Sequence, residues 1–340
     1  MDKKIRTMLI VVGMAFAIAG CGTSDKQNNS SITKDNTQQS QADTQQSQAD
    51  TQQSQTDTQQ SQADTQQSQT DTQQSQADTQ QSKKDELPIY SNLADKETQQ
   101  VFKETLVSAG ASEENAQKSL DIVKNYNETI ANTSLIDKGY KPFDMKMPEY
   151  DIDKIQQLWM DKSPMFNGYN CRITAFELMK DKISIEDTSK KNTEYLFMDQ
   201  SSLEAEKLFD EADTDDFEAL FSEIKTDSST DTDKQVQVQQ KYWQDIGVKF
   251  EDSKMSLITV YLHSHIDDND NSLIVGHTGV LVDEGQKLLF FEKLSFELPY
   301  QVIEFSDRSQ LKQYLMNCYD VDTTGECAKP FILENTNLLD

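Results

Sequence analysis

A mixed α+β fold, with helices first and an antiparallel sheet after them, is predicted for the C-terminal part of this chain from three observations. Between Asn92 and Ile224, apolar residues recur at helical spacing. After Gly247, Ile258, Val260 and Leu262 alternate with polar residues, as on a half-buried strand. Asp283-Glu284-Gly285-Gln286 then reads as a hairpin turn between two strongly apolar runs.

The elements follow in order. Val101, Phe102, Leu106 and Val107 mark a helix over Asn92 to Ala109, which Gly110 stops. Ser112 with Glu113 and Glu114 opens a second helix, since a hydroxyl and two acids suit the unpaired N–H groups of a helix start. Ile152, Ile155, Leu158 and Trp159 mark a third, Asn170 to Ile183 a fourth, and the acidic stretch Leu203 to Ile224 a fifth. Strands are expected at Leu273 to Val282, Leu288 to Phe296 and Gln301 to Phe305, before a short helix capped by Ser306.

The 340 residues carry 59 Asp+Glu against 32 Lys+Arg, a net charge of −27, with 35% apolar residues. Phosphate polyanions are repelled by that balance, and no basic stripe offsets it, so nucleic-acid binding is excluded. The apolar residues are unevenly spread. Thr37 to Ser82 repeats Thr-Gln-Gln-Ser-Gln-(Ala/Thr)-Asp and holds no large apolar side chain. No position of the repeat provides a coiled-coil seam, and its burial cannot offset the cost of ordering the backbone, so disorder is expected. As a flexible coil this tether spans roughly 40 Å.

The first residues read as an export signal. Lys3, Lys4 and Arg6 precede an apolar run from Met8 to Ala19, shorter than a membrane span of about 20 residues. The run ends Ile18-Ala19-Gly20-Cys21, which resembles the lipobox of bacterial lipoproteins. That resemblance implies cleavage before Cys21, acylation of Cys21, and a lipid anchor on the extracytoplasmic face of the cell membrane. The expected organisation is a signal peptide over 1–20, a disordered repeat linker over 21–86 and a single globular α+β domain over 87–340.

One constellation suits chemistry. Asn170-Cys171-Arg172 places Cys171 at a helix start, where the helix dipole favours a thiolate and unpaired N–H groups suit an oxyanion. The chain has three histidines, His263, His265 and His277. His277 lies between Gly276 and Gly279, which suggests room for a group to approach the imidazole. A two-residue tip at Glu284-Gly285 pairs His277 with Glu292, an acid in an apolar run; a tip at Gly285-Gln286 pairs it with Leu294 instead. Cys171 as nucleophile, His277 as base and Glu292 as its orienter form the candidate site. Asn170 is a candidate oxyanion or substrate donor. Arg172 is either a ligand for a substrate carboxylate or part of a structural ion pair, with the ion pair favoured.

The chain order Cys on a helix start, His on a strand and a polar residue on the next strand resembles that of papain-like cysteine hydrolases, over roughly 165–305. The resemblance implies a papain-like arrangement and thiol-dependent cleavage or transfer at an amide, with a cell-wall peptide or protein as substrate partner. It departs from that family in lacking a Gln shortly before the Cys: Met165, Phe166 and Asn167 stand there. Three blocks, Asn170 to Phe176, His277 to Leu281, and Phe291 to Phe296 with Pro299-Tyr300-Gln301, resemble a bacterial lipoprotein family catalogued as domain of unknown function 4300. That family implies a secreted lipoprotein and no particular activity. A non-catalytic binding lipoprotein, with Trp159, Tyr242 and Trp243 lining a pocket, is the alternative.

His263 and His265 have metal spacing but no third ligand nearby, so neither a metal nor another cofactor is expected. Cys318 and Cys327, in an exported chain, are expected to form a disulfide, which leaves Cys171 unpaired.

Overall fold

The structure is a computed structural model that describes residues 87–267 and 270–339. The expected signal segment, Cys21 and the repeat linker lie outside the described residues.

The helical part begins with α1 (Lys96–Ala109) and α2 (Glu113–Thr129). Asp95 sets the start of α1 by accepting from Thr98 N at 2.9 Å, and Ser112 does the same for α2 at Asn115 N. α3 (Ile152–Lys162) and α4 (Cys171–Met179) follow, then α5 (Phe197–Glu206), α6 (Glu211–Leu220) and α7 (Thr232–Ile246). The single acidic helix expected over Leu203 to Ile224 is therefore two. Lys207 takes a left-handed conformation that ends α5, and Asp210 caps α6 through Asp213 N at 2.9 Å. Ile224 is already strand.

The chain also forms β1 (Ile89–Ser91), β2 (Lys141–Pro142), β4 (Ile224–Lys225), β6 (Met255–Asp267), β7 (Asp270–Asp283), β8 (Leu288–Lys293), β9 (Tyr300–Phe305), β10 (Phe331–Glu334) and β11 (Asn337–Leu338). These make one sheet in the order β11-β10-β6-β7-β8-β9-β1-β2, with β4 added to β7. Every pairing is antiparallel. β3 (Ile183–Ser184) and β5 (Lys249–Phe250) form a separate small ribbon. The fold is α+β, but not strictly helices then sheet, because β1 enters the sheet against β9 before any helix.

Both faces of the sheet are covered. Leu257, Tyr261, Val275, Val280, Phe291 and Val302 face the N-terminal helices. Ile258, Val260, Leu281, Phe290 and Ile303 face α8 (Arg308–Tyr319) through Leu311, Tyr314 and Leu315. Asp307, rather than Ser306, caps α8, accepting from Gln310 N at 2.9 Å. Burial on both faces explains why β7 and β8 read as continuous apolar runs. Among the described residues, no helix is long and apolar enough to cross a membrane.

Candidate active site

Cys171 is the first residue of α4 and is 6% exposed. Asn170 is the cap: its Oδ1 accepts from Ile173 N at 3.0 Å, a bond that stabilises a helix start by about 1 kcal/mol. Its Nδ2 donates to Asp199 Oδ1 at 2.7 Å. Asn170 is thus held at both ends of its amide, which fixes it as a positioning residue for the helix start; one Nδ2 hydrogen remains for its expected oxyanion role. The amides at the start of α4 have no intrahelical acceptor and remain as candidate oxyanion donors.

Arg172 fixes the same turn. Nε and Nη2 make a bidentate pair with Asp199, at 2.9 and 2.7 Å, and Nη1 donates to Val275 O at 3.0 Å. Three of its five donors are engaged in this structural arrangement, which is the ion-pair role favoured for it. The bond to Val275 also anchors the α4 start to β7.

His277 reaches this point because β7 carries a bulge. Tyr261 pairs with Val275 and Val260 with His277, so Gly276 is an extra residue in β7. The inserted residue turns His277 to the α8 face, whereas Val275 faces the N-terminal helices. The two glycines do not open a path to the imidazole. A Cβ on Gly276 would lie 2.4 Å from Leu262 Cδ1, and one on Gly279 2.5 Å from the Phe290 ring. Core side chains already fill that space.

The turn between β7 and β8 has its tip at Gly285-Gln286: Asp283 pairs with Leu288, and Glu284 N donates to Lys287 O. The two-residue tip at Glu284-Gly285 is therefore overturned, because Gly285, at φ +83°, and Gln286 make the reversal. Continued along the strands, this register sets Gly279, not His277, opposite Glu292. A slip of two positions preserves the face, so His277 and Glu292 meet as diagonal neighbours. His277 Nε2 stands 2.5 Å from Glu292 Oε2.

The other oxygen of Glu292 accepts from Gln301 Nε2 at 2.6 Å and from the Tyr314 hydroxyl at 2.7 Å. With two donors on Oε1, the carboxyl acts as an acceptor, so the proton in the contact with His277 belongs on Nε2. That leaves Nδ1, which is buried and has no hydrogen-bond partner of standard geometry. Besides Glu292, the Cys171 thiol also couples to the ring by charge and by hydrogen bonding. Tyr319, the last residue of α8, stacks on the imidazole with ring centres 5.0 Å apart at 16°.

Burial alone would push the Cys171 thiol up. The His277 cation, its hydrogen bond and Arg172 outweigh this, and the thiol lies below its ordinary value. Burial alone would lower His277, but Cys171 and Glu292 hold it above its ordinary value. Both shifts favour a thiolate–imidazolium pair. Gln301, Tyr314, Tyr319 and Asp199 were not singled out from sequence as site residues. A Gln within the apolar strand Tyr-Gln-Val-Ile was the one available signal, since a buried amide demands a partner.

Beside Tyr169 lies a cleft of about 570 Å³, walled by Tyr126, Trp159, Phe166, Tyr169 and Tyr300. Of the aromatics proposed for a pocket, only Trp159 is here; Trp243 packs in the core against Phe250 and Tyr261, and the Tyr242 hydroxyl donates to Ala219 O.

The expected disulfide is absent: Cys318 and Cys327 are free thiols. Cys318 turns inward from α8 to pack on the core, and burial pushes its thiol up to about 12. Cys327 sits instead in the loop beside the His265 backbone. His263 Nδ1 accepts from Ala328 N at 3.0 Å, and His265 Nδ1 contacts Asn271 Oδ1 at 2.5 Å. Among the described residues, no three His, Cys, Asp or Glu gather as metal ligands would.

Residues 89–339 match the family model described as Domain of unknown function (DUF4300). The chain belongs to this family. Comparison with curated proteins and with solved structures returns no match. The family description carries no activity, so the DUF4300 domain is read from its own geometry.

Proposed function

We propose that this DUF4300 chain is a thiol-dependent hydrolase or transferase acting on amide bonds at the cell envelope. In this reading it has a papain-like arrangement and is held to the membrane by lipid on Cys21. Two observations carry the catalytic part: His277 is fixed through Nε2 by Glu292 while its other nitrogen is buried without a standard partner, and the ring interacts with the Cys171 thiol by charge and hydrogen bonding. A buried polar atom without a partner is costly unless function uses it.

The chemistry follows from the geometry. Cys171 Sγ, as thiolate, attacks the carbonyl carbon and forms a C–S bond. The carbonyl electrons move to oxygen, where the amides at the α4 start stabilise them. The electrons return, the C–N bond breaks, and His277 Nδ1–H gives its proton to the departing nitrogen. Water or an acceptor amine then attacks the thioester carbon and yields its proton to Nδ1, and the C–S bond breaks with its electrons returning to sulfur, which restores the thiolate–imidazolium pair. Glu292 keeps the ring oriented and compensates its charge throughout.

The lipoprotein and envelope parts rest on the lipobox-like Ile18-Ala19-Gly20-Cys21 and the apolar run before it. Labelling with radioactive palmitate, lost in Cys21→Ala, tests them. An electrophilic peptide probe tests the catalytic part. Covalent labelling of the folded chain that disappears in Cys171→Ser and falls steeply in His277→Ala is expected. Labelling that appears only after unfolding contradicts catalysis and leaves a binding lipoprotein.

A further inference from the structure

A second, smaller cavity opens off the aromatic cleft and shares Ile122, Tyr169 and Tyr300 with it. At about 10 Å³ it has room for a single small polar group. Its lining includes Ser119, Thr174 and Glu177, and each of these brings a buried oxygen without a hydrogen-bond partner of standard geometry. Their exposures are 4%, 8% and 1%. Thr174 and Glu177 lie on α4, one and two turns beyond Cys171. The Tyr300 hydroxyl interacts with Thr174 at the same place.

Two hydroxyls and a carboxylate line one small space, and of these only the acceptor-only Glu177 carboxylate requires a donor from outside. The donor that now reaches it comes from the protein itself. Lys118, a half-exposed residue of α2, places Nζ 2.7 Å from Glu177 Oε1. An alkylammonium on an otherwise solvated side chain thus already occupies the mouth of the site. Leading to it are aromatic faces, which suit a methylene stem and a cationic tip. Glu114, Asp121 and Glu206 add negative charge around the cleft.

We propose that this cavity, with Glu177 as counter-ion, is a subsite for a primary ammonium group on a lysine-like side chain, and that Lys118 is its exchangeable place-holder. This rests on the hydrolase reading only in treating the ligand as part of a substrate cleaved at Cys171. The ligand's ammonium takes the place of Lys118 at Glu177, its methylenes lie along Tyr169 and Tyr300, and Lys118 swings to solvent. The subsite sits on the same helix as the nucleophile, so it selects for a cationic residue close to the scissile amide.

The test uses the full chain in detergent with Cys171→Ala, so that no turnover consumes the probe. Binding of Nα-acetyl-lysine amide is followed by the fluorescence of Trp159 and compared with the norleucine analogue, which lacks the amine. Saturable binding of the lysine probe is expected, at least about tenfold tighter than the norleucine probe and about tenfold weaker in Glu177→Gln, as for loss of one charge-assisted hydrogen bond. Lys118→Met, which frees Glu177, tightens it several-fold. Equal binding of the two probes, as for a cavity that holds only an ordered water, overturns the proposal. If Glu177→Gln does not fold, an unchanged affinity in Lys118→Met overturns it alone. Lysine binding alongside an inert wild-type Cys171 keeps the subsite and removes the hydrolase reading. A reactive Cys171 without lysine preference does the reverse.

Discussion

Two ion pairs flank Cys171, and they differ in what they leave unspent. On one side, the Arg172 guanidinium donates to both oxygens of Asp199 and to Val275 O, while Asn170 donates to the same carboxylate. That cluster fixes the helix start and ties it to β7. On the other side, His277 and Glu292 are more deeply buried, at 1% and 0% side-chain exposure, and Glu292 is likewise saturated, by Gln301 and Tyr314. Yet His277 keeps one buried nitrogen without a standard partner, and its ring interacts with the Cys171 thiol. The first pair is a scaffold. The second is a scaffold with one nitrogen left unpartnered, and the proposed chemistry rests on that difference.

The comparison breaks most sharply at His277. His277→Ala removes the base and is expected to slow electrophile labelling of Cys171 by about 100-fold or more, with the fold retained by circular dichroism. A fall of less than about threefold means that the ring does not serve the sulfur. Asp199→Ala tests the opposite pair. It strands a buried guanidinium and is expected to cost about 3–5 kcal/mol of stability in urea unfolding, through the scaffold rather than the chemistry. Gly279→Ala is expected to cost about 1–3 kcal/mol, because its Cβ would stand 2.7 Å from Phe291 O, a backbone atom that cannot step aside. Tyr314→Phe is milder still. It removes one of the two donors on Glu292 Oε1, for about 1–2 kcal/mol, and should shift the pH profile of labelling more than its plateau. Smallest of all, dithiothreitol should leave thermal stability unchanged, since Cys318 and Cys327 are both thiols.

Much of this was legible in the sequence, and the gaps have physical causes. The start of α4 was readable because Asn170 precedes an apolar helical run. The strands β7 and β8 were readable because burial on both faces leaves an uninterrupted apolar signal. Register was not readable, since it depends on which residues of Asp283-Glu284-Gly285-Gln286 make the turn, and several choices satisfy the same composition. The contact between His277 and Glu292 tolerated the slip because a two-residue shift preserves the face. The bulge at Gly276 was invisible: a glycine in a strand signals close approach, but not whether a ligand or Leu262 makes that approach. Asp199 gave no signal because its partner Arg172 is 27 residues away and on another helix.

The central claim is that Cys171 and His277 rest as an ion pair in the folded chain, and its pH dependence has a definite sign. The thiol is held below its ordinary value, so its contribution to stability is present above the unfolded thiol value of about 8.5 and is lost as pH falls through the folded value. The imidazole is held above its ordinary value, so its contribution is complete below the unfolded value of about 6.5 and is lost as pH rises through the folded value. The most direct measurement is the pH dependence of thiolate absorbance in a chain with Cys21→Ser, Cys318→Ser and Cys327→Ser, compared with the same chain carrying His277→Ala. The account predicts a Cys171 thiolate persisting well below pH 8.5, and a thiol that ionises only above that pH once His277 is gone. A Cys171 that ionises near or above pH 8.5 in both chains would contradict it.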